Sequence, residues 1–218
     1  MCGRFDTSQL TWADIHAQLS VFAEITTPPL NLEPDDDVRP TTRQLTARLE
    51  GGAWALERMR WGLVPGWRSG KPLKDSEKGK GDGFKLTTFN ARSETAAGSA
   101  VFRSAFARRR CLVPASAWYE WTGDKGAKSR WRFSRADGQP LLMFAGLWDH
   151  ADTADAGPVD SFTVLTHPSS GLLAEYHHRA PVVLERDAWM TWLDVDRDPA
   201  PLFVPDTVER FRVVPDDR

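Results

Sequence analysis

The segment Gln44-Leu45-Thr46-Ala47-Arg48-Leu49-Glu50-Gly51-Gly52-Ala53-Trp54-Ala55-Leu56-Glu57-Arg58-Met59 reads as two strands joined by a two-residue turn. Gly51-Gly52 suits that turn because hairpin loops of two residues need positive φ, which glycine adopts without steric cost. A hairpin this near the start of the chain argues for antiparallel pairing. The sequence on either side continues the theme. Cys111 to Trp121 reads as extended, Arg130 to Ser134 and Leu141 to Trp148 as a strand pair turning at Asp137-Gly138, and Phe84 to Asn90, Ser161 to Thr166 and Val182 to Leu184 as further strands.

Helical patterns are fewer and irregularly spaced. Trp12, Ile15, Leu19 and Phe22 repeat at helical spacing within Ser8 to Phe22, with Thr7 or Ser8 as cap. Further helices are expected over Glu94 to Arg109, Ser169 to Tyr176 and Asp187 to Leu193. Thr26 to Pro40, rich in proline and carrying Asp35-Asp36-Asp37, reads as a loop that wraps the surface. Ser69 to Gly83, built from Lys, Gly, Asp and Ser, reads as a mobile basic loop. The sum is an α+β fold: a mostly antiparallel, strongly curved, barrel-like sheet with peripheral helices, in one domain spanning residues 1–218.

With 218 residues the chain can bury a core without covalent staples. Its two cysteines, Cys2 and Cys111, make no disulfide framework, and no apolar run approaches the roughly 20 residues of a membrane span. The expectation is a soluble, cytoplasmic monomer in a reducing compartment, without cofactor. The net charge of −2 conceals an asymmetry. From Arg58 to Arg135 there are 18 Lys and Arg against 6 Asp and Glu, so the middle is basic and the ends acidic. A basic stretch holding Trp61, Trp67, Trp118, Trp121 and Trp131 suits a polyanion with unpaired bases to stack. Two solvated faces of opposite sign, with the tryptophans in the core, would give the same composition.

The chemistry concentrates at Met1-Cys2-Gly3-Arg4. Once Met1 is removed, Cys2 is a 1,2-aminothiol. Its amine can condense with an aldehyde to an imine, and its thiol can close on the same carbon into a five-membered thiazolidine. A terminal amine titrates at about 7.7 to 8.0 and a free thiol at about 8.5, so both are usable near neutrality. Ring closure is intramolecular and therefore favoured. A terminal Cys is also the nucleophile of some amidotransferases, and a buried Cys can be a small hydrophobe.

Three further stretches carry polar groups. In Phe89-Asn90-Ala91-Arg92-Ser93-Glu94-Thr95, Asn90 and Arg92 share a face if the backbone is extended, one able to orient a hydroxyl and the other to hold a phosphate. In Trp118-Tyr119-Glu120-Trp121, Glu120 shares its face with Trp118, and a carboxyl against an indole has a raised pKa suited to proton transfer. In His177-His178-Arg179-Ala180-Pro181, His177 as proton donor and Arg179 as phosphate ligand could face one site. No third ligand accompanies the histidine pair at metal spacing, so no metal site is read.

Taken with Cys2-Gly3-Arg4-Phe5, Trp61-Gly62-Leu63-Val64-Pro65 followed by Trp67, and Cys111-Leu112-Val113-Pro114, these motifs closely resemble the SRAP family of SOS response-associated peptidases, abasic-site processing proteins that crosslink to single-stranded DNA. The resemblance implies a single SRAP-like domain with catalytic residues Cys2, Asn90, Glu120 and His177 and DNA contacts at Arg4, Trp67, Arg92 and Arg179. It implies, as partner, single-stranded DNA containing an abasic site, a thiazolidine crosslink at Cys2, lyase-like activity, and autoproteolytic removal of Met1. The rival readings are a terminal-Cys amidotransferase or amidohydrolase, and a non-enzymatic single-stranded DNA-binding module. The chain departs from the family pattern at Asp37-Val38-Arg39-Pro40-Thr41, where Asn-hydrophobic-Ala-Pro-Thr is usual, and at Ala180, where Met is usual.

Overall fold

The computed structural model describes residues 2–74, 87–124, 126–204 and 208–217. The anticipated hairpin is present. β2 (Arg43–Glu50) pairs antiparallel with β3 (Ala53–Trp61), and Glu50 lies opposite Ala53 across Gly51 and Gly52, whose φ values of 58° and 85° make the mirror-image turn that matches strand twist. A second, longer hairpin joins β8 (Leu142–Thr153) to β9 (Gly157–Pro168), and β5 (Arg110–Ala115) runs antiparallel to β8 along its first half. β9 closes on β3 in parallel through Arg60 opposite Ser161 and Trp61 opposite Phe162. The order β9-β3-β2-β5-β8, with β8 again against β9, is a closed five-stranded barrel. The end of β9 runs between two short strands, β4 (Asn90–Arg92) paired in parallel on one edge and β10 (Arg179–Pro181) antiparallel on the other, with Thr166 opposite both Arg92 and Pro181.

A second sheet lies beside the barrel. Its order is β1 (Phe5–Asp6), β6 (Ala117–Thr122), β7 (Ser129–Arg135) and β11 (Phe211–Pro215), all antiparallel. The extended run Cys111 to Trp121 is therefore two strands in two sheets. The chain changes sheet at Ser116, whose amide donates to the Asp6 carbonyl at 2.6 Å and whose hydroxyl accepts from the Gln9 amide. Between the sheets lies an aromatic core in which Cys2, Phe5, Trp61, Trp118, Phe133, Phe144, Phe162 and Phe211 are buried together. The Phe5 ring packs 4.8 Å from Trp61, and Trp118 stacks on Phe133 at 4.8 Å.

The structure corrects several expectations. β7 does not pair with β8. Its partners are β6 and β11, because the turn at Asp137-Gly138 carries the chain from one sheet to the other and the C-terminal strand takes the free edge. The long helix over Glu94 to Arg109 is a 3-10 turn (Ala96–Gly98) followed by α2 (Arg103–Arg108), because at Ser99 the chain turns extended with ψ 130°. α1 covers Trp12–Leu19 and is capped by Thr11 and Asp14 in a reciprocal capping box, while Asp6 rather than a helix claims Ser8. Ser169 to Tyr176 forms a 3-10 helix (Gly171–Glu175), and α3 spans Trp189–Leu193. Of the basic loop, Ser69 to Lys74 is tied down by hydrogen bonds such as Gly70 N–H to the Asp152 carbonyl and the amides of Leu73 and Lys74 to Asp155, whereas 75–86, including the first residues of the strand expected at Phe84 to Asn90, lies outside the described residues. Among the described residues no helix is long and apolar enough to cross a membrane.

Barrel closure leaves little room at Gly146, where an added Cβ would lie 2.8 Å from Cys111 Sγ and 2.9 Å from Val113 Cγ2, both residues fully buried. Gly146→Ala is expected to destabilise the protein by about 1–3 kcal/mol through overpacking, read as a lower urea midpoint with unchanged m-value.

Candidate active site

The first residues of the chain are held from two sides. β1 pairs with β6 through Phe5 opposite Trp118, and the Tyr119 amide donates to the Arg4 carbonyl at 3.1 Å. From the barrel side, Asn90 Nδ2 donates to the Cys2 carbonyl at 2.7 Å. Asn90 is itself placed by β4, and Trp61 Nε1 pins the preceding residue by donating to the Phe89 carbonyl at 2.7 Å. Asn90 Oδ1 is buried without a hydrogen-bond partner among the described residues.

Glu120 is buried in β6 opposite Trp131 of β7. Burial raises its carboxyl to about 7, so near neutral pH it is half protonated and can both take and return a proton. The Cys2 thiol is fully buried, and burial, reinforced by the Glu120 carboxylate, pushes its pKa well above the ordinary thiol value. The thiol stays protonated until a base removes its hydrogen. Its hydrogen points to the Arg4 carbonyl, 3.8 Å away, and Glu120 acts on it through space.

His177 follows the Gly171–Glu175 turn. That turn is anchored to the aromatic core holding Cys2 by buried Leu173 and by Tyr176, whose ring packs edge-on against Trp131, the cross-strand partner of Glu120. Burial lowers the imidazole pKa to about 4. The Arg179 amide approaches His177 Nδ1 at 3.0 Å. The Arg179 carbonyl also lies 3.1 Å from Nδ1, but a backbone amide always carries its hydrogen and a second hydrogen on Nδ1 would clash with it, so Nδ1 accepts and the ring proton sits on Nε2. At neutral pH His177 is thus a neutral imidazole with a donor at Nε2.

The expected DNA-contacting residues separate into two groups. Trp67 is 51% exposed in the middle of the Gly66–Arg68 turn, and Arg92, on the same strand as Asn90, is exposed with no ion-pair partner among the described residues. Arg4 is half-buried and paired with Asp37, Nε to Oδ1 at 2.9 Å. Arg179 corrects the reading most. Its guanidinium is buried and engaged with both Glu94 oxygens, one at 2.8 Å, and with the carbonyl and hydroxyl of Thr166. It works as an internal clamp between β10, β9 and the turn after β4, and Glu94 is held at about 2 chiefly by its hydrogen bond. Sequence reasoning missed Glu94; its position two residues beyond Arg92 and four beyond Asn90 was the available signal. Among the described residues no group of three or more His, Cys, Asp or Glu could hold a metal ion.

A family model described as SOS response associated peptidase (SRAP) matches residues 1–215. The chain belongs to the SRAP family. Among curated SRAP relatives, the abasic site processing protein YoqW of Bacillus subtilis is 30% identical over 195 residues, covering 89% of this chain and 80% of the relative. Abasic site processing protein YedK of Escherichia coli is 30% identical over 200 residues, covering 88% and 79%. A solved structure from Bordetella bronchiseptica superposes over 100% of both chains with a TM-score of 0.80 at 27% identity. This SRAP chain shares with it both the barrel and its elaborations.

The environment of Glu120 predicts a pH signature. Because its folded pKa is raised from 4.5 to about 7, the folded state binds more protons between those values, and stability falls as pH rises through that window. Glu120→Gln is expected to flatten this dependence and to be more stable than the parent at pH 8, by up to about 3 kcal/mol. Urea unfolding of both proteins at pH 5 and pH 8 checks it, and parallel curves would remove the shift.

Proposed function

We propose that this protein captures abasic sites in single-stranded DNA as a covalent crosslink through Cys2 after loss of Met1. The observation that carries the reading is the Asn90 hydrogen bond that fixes Cys2, whose thiol feels the field of a carboxyl poised near neutrality. The names of the curated relatives supply the substrate class: they are abasic site processing proteins.

In the proposed sequence the ring-opened sugar presents an aldehyde. The Cys2 amine adds to its carbon, the carbinolamine loses water, and an imine forms. The thiol then adds across the C=N bond, its proton passing to the nitrogen by way of Glu120, and the thiazolidine closes with net loss of one water. Glu120 is suited to both transfers because either protonation state is populated at pH 7. Asn90 fixes the Cys2 backbone and offers Oδ1 to the amine or a sugar hydroxyl. His177, neutral with its proton on Nε2, donates a hydrogen bond to the sugar oxygen and so favours ring opening without adding a cation. Arg92 and Arg4 hold flanking phosphates, and the exposed Trp67 stacks on or wedges apart neighbouring bases. Removal of Met1 by the protein itself belongs to the same proposal.

Cys2→Ala is expected to abolish the crosslink to an abasic oligonucleotide on denaturing electrophoresis while non-covalent binding persists in fluorescence anisotropy; loss of both together would make Cys2 structural. Arg92→Ala is expected to weaken binding alike for all base sequences and to reduce the slope of log K against log salt by about 0.7, and an unchanged slope would place Arg92 off the DNA path.

A further inference from the structure

Beside the site, three arginines converge on one carboxylate. Asp37 Oδ1 pairs with Arg4 Nε at 2.9 Å and lies 3.9 Å from Arg130 Nη2, while Asp37 Oδ2 accepts from Arg39 Nε at 2.8 Å and from its Nη2. The three come from separate elements: the amino-terminal segment, the wrapping loop and β7. Their position relative to the chemistry is set by the backbone. Arg4 is two residues from Cys2, and Arg130 lies opposite Trp121, the neighbour of Glu120. Arg130 is held in place by Tyr119, whose ring lies 3.7 Å beneath its guanidinium, and by Asp216 at 3.2 Å. The side chains of Arg39 and Arg4 remain 61% and 30% exposed.

We propose that Arg4, Arg39 and Arg130 form a seat for a backbone phosphate of the bound strand, and that Asp37 occupies that seat until DNA displaces it. This rests on the reading of the ligand as single-stranded DNA and goes beyond it by naming Arg39 and Arg130 as phosphate ligands and Asp37 as an internal competitor. The chemistry matches. Guanidinium forks that bind a carboxylate present the same planar donors to a phosphate, and an anion already gathered among them orders the side chains while opposing a second anion. Burial raises the Asp37 pKa, but the hydrogen bond from Arg39 and the charges of Arg4, Arg39 and Arg130 outweigh it and the net shift is downward, so the competitor is charged throughout the neutral range. Both Asp37 and Arg39 stand where this chain departs from the Asn-hydrophobic-Ala pattern, so the plug and one of its cations arrive together.

The test is equilibrium binding of a fluorescent single-stranded oligonucleotide without an abasic site, measured against salt for the parent, Asp37→Asn and Asp37→Asn with Arg39→Ala, with thermal unfolding confirming that each variant is folded. Asp37→Asn is expected to bind about tenfold more tightly at low salt, with a slope of log K against log salt steeper by about 0.7, the increment for one more phosphate neutralised on a single strand. The added Arg39→Ala is expected to cancel most of that gain. Unchanged or weaker binding by Asp37→Asn would overturn the proposal and make Asp37 a mere brace for the arginines. Because the oligonucleotide offers no aldehyde, the result stands apart from the crosslinking reading: failure of the parent to crosslink an abasic oligonucleotide would sink that reading and leave this measurement intact.

Discussion

The Cys2 carbonyl accepts its hydrogen bond from Asn90 Nδ2 on the barrel side, and three residues later Phe5 is locked into the second sheet opposite Trp118. A chain terminus ordinarily frays, since a few terminal residues bury too little to offset their conformational entropy. Here the segment from Cys2 to Phe5 is the meeting point of two sheets, and the rest of the site is arranged around keeping it there. Trp61 serves both sides at once: its ring packs against Phe5 while its indole N–H holds Phe89, the residue before Asn90. Asp6 fastens the other end of β1 by accepting from the Tyr119 hydroxyl at 3.1 Å and pairing with Arg132 at 3.2 Å. For the proposed capture at Cys2, a fixed amino-terminal segment supplies orientation, the larger share of what a small site can contribute.

The same burial that fixes the terminus sets its electrostatics. A thiol and a carboxyl enclosed together both shift upward, so each is neutral more often than in water. The imidazole of His177 is pushed the other way for the same reason, and it too is neutral. Near neutrality the thiol and the imidazole are therefore uncharged and the Glu120 carboxyl only half ionised, while exposed Arg92 and the arginines around Asp37 carry charge at the edge of the site. Neutral chemistry inside and cationic anchoring outside suit a ligand whose reacting carbon is uncharged and whose backbone is anionic.

Much of the scaffold was legible because local rules decided it. Gly51-Gly52 demanded a tight hairpin, and both glycines adopt positive φ. The pairing of β7 was not legible, since Asp137-Gly138 marks a turn without saying which sheet the chain enters next, and one of its two partners, β11, lies far along the chain in a short segment. The helix expected over Glu94 to Arg109 failed because an apolar period cannot show where the backbone turns extended, here at Ser99. At the site, residue type announced Cys2 and Glu120, but the Asn90 contact to Cys2 is tertiary, and no local pattern predicts it. Arg179 looked like an open cation because its true partner Glu94 sits on another element. The tautomer of His177 depends on a backbone amide two residues away and has no sequence signature at all.

The most direct test compares two forms of the protein, one beginning at Cys2 and one retaining Met1, each incubated with an abasic single-stranded oligonucleotide without reductant and analysed by peptide mass spectrometry. The ring can close only on a basic amine, because an amide nitrogen shares its lone pair with the carbonyl. The account predicts a stable adduct on Cys2, equal in mass to the two reactants less one water, for the Cys2-initiated form alone. An equally stable unreduced adduct on Cys2 of the form that retains Met1 would contradict it and leave a simple thiol nucleophile in its place.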